Sequence, residues 1–400
     1  MAEKVRYYLE QTVPELQDLQ KKGIFNKQEI AAIMKRRTDF EHRIGSRGVK
    51  PADFLRYVEY EMNLDSLRRK RIQRMNLKGR SSVSDWAGKR RILFVFDRGT
   101  KRFPSEISLW TEYVEYAKQA DAVNVLTKIF TTVLRLHPTN ASLWIMAAQH
   151  EFEVNANVRA ARSIMQRGLR FASHSARLWV EYAKLELNYL AKVLARRQIL
   201  GIDDADKTTD EAAERLRDDD ELASDSIKLP TSTAEEVRDD LRALPDVDIS
   251  VLGSLDTNPA LNGAVVEAVM DAAAKAVPGR ELAVKLLELV DSFPFLACQQ
   301  RLVDHVADAL YAADPALQAN VLVYVKAPTR AVLPSVAAFP AALQTSLRRF
   351  WAAVDGRDDA KAIADDYAAG LGQFLAFPSL DPALEKAIKA TQVKIARRFP

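Results

Sequence analysis

The residues able to do chemistry in this 400-residue chain are few and scattered. Its five histidines, His42, His137, His150, His174 and His305, stand at no metal-binding interval from one another or from the single cysteine, Cys298, so the sequence offers no zinc ligand set. No glycine-rich loop ends in Lys-Ser/Thr to cradle a phosphate, and no Gly-x-Ser-x-Gly elbow presents a nucleophile. Cys298 lies in an apolar helical context without a basic neighbour to activate it, the setting of a thiol that packs as a small hydrophobe. Glu61, Glu151 and Glu186 have the chemistry of general acids, but they recur in phase with a repeat, and that phase assigns them to bonds with neighbouring helices or backbone. The expected inventory is therefore no catalytic residue, no cofactor and no metal. What remains is charge. Arg68-Arg69-Lys70-Arg71, then Arg74, Lys78 and Arg80, lead into a polar break at Ser81 to Ser84, and Lys89-Arg90-Arg91 follow. On a helix these side chains do not share one face. Three readings stay open: a solvated surface, a nuclear or nucleolar signal, and contact with RNA phosphates.

The elements that position these residues are written in a repeated aromatic box. Trp110/Tyr113, Trp144/Ala147 and Trp179/Tyr182 follow one another at steps of 34 and 35 residues, and Phe54/Tyr57 lies 56 residues before Trp110. The wider first step implies an insertion of about a turn or two of helix plus loop. An acid follows seven residues after the first box residue at Glu61, Glu151 and Glu186, with Ala117 in its place after Trp110. Offsets of three and seven share a helix face. Arg98-Gly99 precedes Trp110 as Arg167-Gly168 precedes Trp179, with the glycine 11 residues ahead in both. Pro104 and Pro138 each stand six residues before a box tryptophan, where a proline ends one helix, and Asn140, Ser142 and Ser175 offer N-cap side chains. A period of this length marks an all-α solenoid of helical hairpins. Phe54, Tyr57, Trp110, Tyr113, Trp144, Ala147, Trp179 and Tyr182 are then packing residues between helices rather than a surface for stacking bases.

Composition agrees with a helical core: 48% of residues are hydrophobic and only 14 are glycine, while the alternation of β-strands is scarce. No apolar run approaches membrane-spanning length, and the opening Met1-Ala2-Glu3-Lys4-Val5-Arg6 lacks the core of a secretory signal. One cysteine fits a reducing compartment. The net charge of +4 hides a division. Residues 1–200 carry 37 Lys and Arg against 21 Asp and Glu, and residues 201–400 carry 21 against 33. Most of that excess lies in residues 203–248, with 17 acids and 6 bases, the composition of a solvated insertion. The expected organisation is an N-terminal docking or capping segment at 1–50 and a repeat solenoid at 51–200. An acidic, flexible linker at 201–249 and Ala-rich, degenerate helical repeats at 250–400 complete it. In the last part, 261–276, 280–292 and 296–312 have apolar spacing suited to stacked helices, Phe350-Trp351 and Ala360 to Leu371 suit a late repeat, and a cap is expected near Lys386 to Arg398.

The box of Trp, aromatic and Glu resembles the HAT (half-a-TPR) repeat more than the ordinary tetratricopeptide repeat, whose Leu-Gly pair is replaced here by Tyr113-Val114, Ala147-Ala148 and Tyr182-Ala183. The N-terminal stretch is more specific. Lys4 to Glu10, Val13-Pro14-Glu15-Leu16, Gly23-Ile24-Phe25, Arg37 to Glu41 and Asp53 to Tyr57 with Glu61 to Leu64 resemble the U3 small nucleolar RNA-associated protein 6 family. The resemblance covers about residues 1–200 and fades beyond 250. It implies a non-enzymatic scaffold in the UTP-B subcomplex of the small-subunit processome, in the nucleus and nucleolus. That assembly places the U3 ribonucleoprotein on precursor ribosomal RNA during 18S maturation. Partners would be β-propeller subunits of UTP-B, with direct RNA contact left open, and no membrane or small-molecule substrate. The alternative is a HAT/TPR-like peptide-binding adaptor of another RNA-processing or chaperone complex, without RNA contact. From the residues themselves, Val5, Tyr8, Leu9 and Leu16 form an apolar stripe that either docks a partner or caps the first repeat.

Overall fold

The computed structural model describes residues 2–76, 82–199, 259, 261–357, 359–377 and 381–399. Among these the regular structure is entirely helical, as the repeat requires. The expected acidic linker at 201–249 lies outside the described residues. The chain forms two compact units, Met1–Pro138 and Thr139–Pro400.

The first unit runs through α1 (Ala2–Glu10), α2 (Val13–Lys21), α3 (Lys27–Gly45), α4 (Pro51–Arg74), α5 (Val83–Arg102), α6 (Ile107–Gln119) and α7 (Val123–Leu136). Three of these helices begin in the same way, with an acid in the first turn reaching back to the backbone N–H just before the helix. Asn26 N–H donates to Glu29 at 2.8 Å, Lys50 N–H to Asp53 at 3.0 Å and Ser82 N–H to Asp85 at 2.9 Å. Each satisfies one of the orphan donors of a helix start. The wide first step of the repeat resolves into longer helices on both sides of one hairpin. Helix α4 has 24 residues and α5 has 20, whereas α6 has 13 and α7 has 14. The added length exceeds the turn or two expected, because α4 and α5 are both extended.

The second unit holds α8 (Ala141–Glu153), α9 (Val158–Phe171), α10 (Ala176–Ile199), α11 (Ala264–Ala276), α12 (Arg280–Asp291), α13 (Gln299–Ala313), α14 (Gln318–Arg330), α15 (Phe339–Val354), α16 (Ala360–Phe374) and α17 (Pro382–Arg398). The first three Ala-rich segments read from the sequence become α11, α12 and α13, the late repeat becomes α15 and α16, and the terminal segment becomes α17. Asn140 Oδ1 accepts from Ser142 N–H at 3.0 Å, which makes Asn140 the cap of α8. In the C-terminal core Phe350 stacks on Tyr367 at 4.5 Å, and the Tyr367 hydroxyl lies 2.8 Å from Ser346 Oγ, so a buried phenol keeps a polar partner.

The box residues are core. Phe54, Tyr57, Trp110, Tyr113, Trp144, Ala147, Trp179 and Tyr182 are all buried. The Trp110 indole N–H donates to Pro104 O at 2.9 Å, which gives that proline a partner six residues on, and the Trp179 indole N–H donates to Ser173 O, at the same offset, at 2.8 Å. The phased glycines admit the box aromatics. A Cβ on Gly99 would lie 3.1 Å from the Phe54 ring, and one on Gly168 only 2.8 Å from Trp144 Cγ. Close helix approach is what the repeat selects at these two positions.

Candidate interaction surfaces

Helices α4 and α5 bring part of the predicted basic cluster against the carboxylates of α2 and α3, and three of its arginines, Arg68, Arg71 and Arg91, turn toward acids. Arg91 pairs with Glu15 and, at 3.4 Å, with Glu61. Arg37 of α3 completes that group with two short bonds to Glu61, at 2.8 and 2.9 Å, and lies 3.6 Å from Glu15. Burial opposes the charge on Arg37, yet Glu61 and Glu15 raise its pKa above the ordinary guanidinium value. Arg68 is buried between Asp65 at 3.0 Å and Asp85 at 2.8 Å. Arg71 lies over the Phe25 ring at 4.7 Å and forks onto Glu29, with bonds of 2.7 and 2.9 Å. The Arg71 fork, helped by the Asn26 N–H, lowers the Glu29 pKa to about 2. Asp18 is lowered equally, to about 2, first by hydrogen bonds from Ser82 and Ser84.

The remaining cluster members divide. Arg69 is exposed and pairs with Asp65 at 2.6 Å. Lys70, Arg74 and Arg90 are exposed and Lys89 is half-buried, while Lys78 and Arg80 lie outside the described residues. A continuous ten-residue basic surface is therefore not what these helices present. Charge spacing alone does not show this, because the acids that receive Arg68, Arg71 and Arg91 come from both nearby and distant sequence.

The phased glutamates share this logic. Arg162 forks onto Glu186 at 2.8 and 2.6 Å across an interval of 24 residues, the same interval that separates Arg37 from Glu61. Glu151 instead accepts from Asn155 at 3.0 Å near the surface. Among the described residues no group of three or more His, Cys, Asp or Glu side chains is placed to hold a metal ion. No described helix is long and apolar enough to cross a membrane.

The N-terminal stripe splits between two jobs. Val5 and Leu16 are buried within the first unit, whereas Tyr8 and Leu9 are half-buried. These last two line a cavity of about 650 Å³ between α1 and α5, with Trp86, Phe94, Arg90 and Arg91 on its other side. Trp86 is 64% exposed and Phe94 39% exposed, so the cavity has a wide aromatic lip. Arg98 stacks over the Tyr8 ring at 4.4 Å while pairing with Glu41 at 2.9 Å, which fixes α1 against α5. Tyr57 closes the floor, its pKa raised by burial and then by Glu61 and Glu41, so the phenol stays neutral. Sequence reading missed Trp86 and Phe94 because they stand outside the box. Their only signal is an aromatic pair eight residues apart on one helix.

Residues 9–91, which build most of this groove, match the family model of U3 small nucleolar RNA-associated protein 6. Over its N-terminal part the chain is similar to that family. Residues 96–201 match a second model, the PRP39 N-terminal HAT repeat, in agreement with the box and its glycines. The Schizosaccharomyces pombe protein named U3 small nucleolar RNA-associated protein 6 is 46% identical over 238 residues, 59% of this chain and 49% of its own length. The mouse homologue is 33% identical over 198 residues, covering 50% of this chain and 33% of its own. The Dictyostelium discoideum homologue is 30% identical over 226 residues, 56% of this chain and 36% of its own. The chain thus spans between a third and a half of the length of these relatives.

Proposed function

We propose that this chain is a non-enzymatic scaffold subunit of a nucleolar ribonucleoprotein assembly that contains the U3 small nucleolar RNA. In that role it supports assembly of the small-subunit processome and maturation of pre-18S ribosomal RNA. The observation that carries the reading is the coincidence of the family match at residues 9–91 with the aromatic groove between α1 and α5. A rigid helical stack with an apolar lip and one exposed arginine at its rim suits capture of a protein segment, with a buried aromatic or aliphatic anchor supplying most of the affinity. The partners on this reading are β-propeller subunits of UTP-B, and the exposed Lys70, Arg74 and Arg90 are kept as candidates for RNA contact or nuclear import.

The test is affinity purification of the tagged full chain from nuclear extract, with U3 RNA and the propeller subunits measured in the eluate. Recovery of both is expected, and Trp86→Asp, at an exposed position, is expected to lose the propeller subunits while keeping the wild-type melting temperature. Absence of U3 RNA from the wild-type eluate would overturn the assignment. Full recovery of partners with the folded Trp86→Asp chain would remove the groove from it.

A further inference from the structure

Helix α9 carries four arginines and no carboxylate. From Val154 to Val180 the sequence holds five arginines, one histidine and no carboxylate. Val158, Ala161, Met165, Gly168 and Leu169 are buried. The opposite side, Arg159, Ser163, Gln166, Arg167 and Arg170, is exposed. At 3.6 residues per turn these five fall within about a third of the circumference, and Arg159 to Arg170 spans about 16 Å of axis. Arg162 is the exception, turned inward to Glu186. The side chains of Arg167 and Arg170 make no ion pair among the described residues. They are neighbours on the helix and repel each other, with no carboxylate in the stretch to relieve them.

An aromatic platform stands beside the charges. Phe171 is 59% exposed, and its ring stacks on Trp144 at 6.1 Å with planes 15° apart. Trp144 is itself buried and seated against Gly168. The inner face of Phe171 is therefore held in place while much of the ring remains open to a ligand.

We propose that this face of α9, formed by Arg159, Arg167, Arg170 and Phe171, binds single-stranded RNA. The arginines hold successive phosphates and Phe171 stacks a base. The inference rests on the ribonucleoprotein reading above and names the RNA-contacting surface within it. Guanidinium forks match phosphate oxygens in pairs. An aromatic ring flanking a basic track is the arrangement that receives unstacked bases. An acidic protein segment would use the charges but leave the ring without a role.

The probe is a fluorescein-labelled 20-nucleotide polyuridine strand, titrated with the purified full chain at several salt concentrations. Three phosphate contacts predict a log Kd against log salt slope of about 2 in magnitude. Arg167→Gln with Arg170→Gln is expected to lower that slope by about 1.4 while leaving the melting temperature unchanged. Phe171→Ala is expected to weaken binding about tenfold at every salt concentration with the slope retained. The inference is overturned if the double variant keeps wild-type affinity and slope, or if neutralising Lys70, Arg74 and Arg90 abolishes binding in its place. It is also overturned if labelled polyglutamate of equal length binds as tightly, since the face then takes acidic protein. Absence of polyuridine binding by the wild-type chain, with U3 RNA still recovered from extract, would sink the α9 surface alone and leave the scaffold reading standing.

Discussion

Two arginine-rich stretches of this molecule are alike in sequence and opposite in structure. Helices α4 and α5 hold most of the predicted basic cluster, yet Arg68, Arg71 and Arg91 are drawn onto Asp65, Asp85, Glu29, Glu15 and Glu61. Helix α9 has fewer cations and no clustered run, yet Arg159, Arg167 and Arg170 face outward. The difference lies in the neighbours. Around α4 and α5 the packing helices bring carboxylates at matching height, so an arginine gains more from a buried fork than from solvent. On α9 Glu186 plays that part for Arg162, while Arg167 and Arg170 make no ion pair among the described residues. Density of charge in a sequence thus says less about a surface than the whereabouts of the opposite charge.

The strongest way to break this comparison is at Arg37, the centre of the inward network. Arg37→Met leaves Glu61 and Glu15 buried with Arg91 as their remaining partner, and it should destabilise the protein by about 3–5 kcal/mol in denaturant unfolding. Pairing it with Glu61→Leu should recover much of that loss, because an apolar pair needs no desolvated charge. A single variant that unfolds at the wild-type midpoint would show that the inward arginines do not hold the first unit together.

Next in size is the packing that sets the Phe171 platform. Gly168→Ala places a methyl 2.8 Å from Trp144 Cγ and should cost about 1–3 kcal/mol. Gly99→Ala, whose Cβ meets Phe54 at 3.1 Å, should cost less. Thermal melts of the two variants in parallel rank them, and the reverse order would contradict the packing at these two glycines. Only Gly168→Ala should also weaken polyuridine binding.

These outcomes bear on how far the sequence could be read. The solenoid, the buried box and the C-terminal helices follow from periodicity, because burial repeats at the helical period and leaves Trp, Tyr and Gly in phase. The extension of both α4 and α5 was less legible, since a long spacing does not say whether helix or loop fills it. The inward turn of Arg68 and Arg91 was hidden for a different reason. Arg91 meets Glu15 across 76 residues, and no local rule foresees such a partner. For α9 the signal was present in plain view: 27 residues without an acid. Spread over a helix, it forms no run of like letters.

Acid should separate the two regions further. Glu29 is lowered from an ordinary 4.5 to about 2 and Asp18 from 3.8 to about 2. A depressed carboxylate contributes stability that is complete above its unfolded pKa and is lost as pH falls through its folded one. The first unit should therefore lose stability progressively between about pH 4.5 and pH 2. Hydrogen exchange measured across that range should show protection falling in α3 and α5, and Glu29→Gln should flatten the dependence. An unchanged profile in that variant would remove the Arg71 fork from the explanation.

The smallest expected effect is the most discriminating. Arg170→Gln removes an exposed charge that makes no ion pair among the described residues, so stability should stay within about 0.5 kcal/mol of wild type. Relief of its repulsion with Arg167 even favours a slight gain, opposed by loss of a cation near the C-terminal end of the helix dipole. Arg68→Gln, one helix turn from Asp65 and bonded across to Asp85, deletes a charge of the same kind from a buried pair and should cost several times more. Denaturant midpoints for the two variants, taken with equal slopes, make the test. If Arg170→Gln proved as damaging as Arg68→Gln, the outward arginines would be structural, and α9 would be better read as another turn of the scaffold than as a surface held ready for RNA.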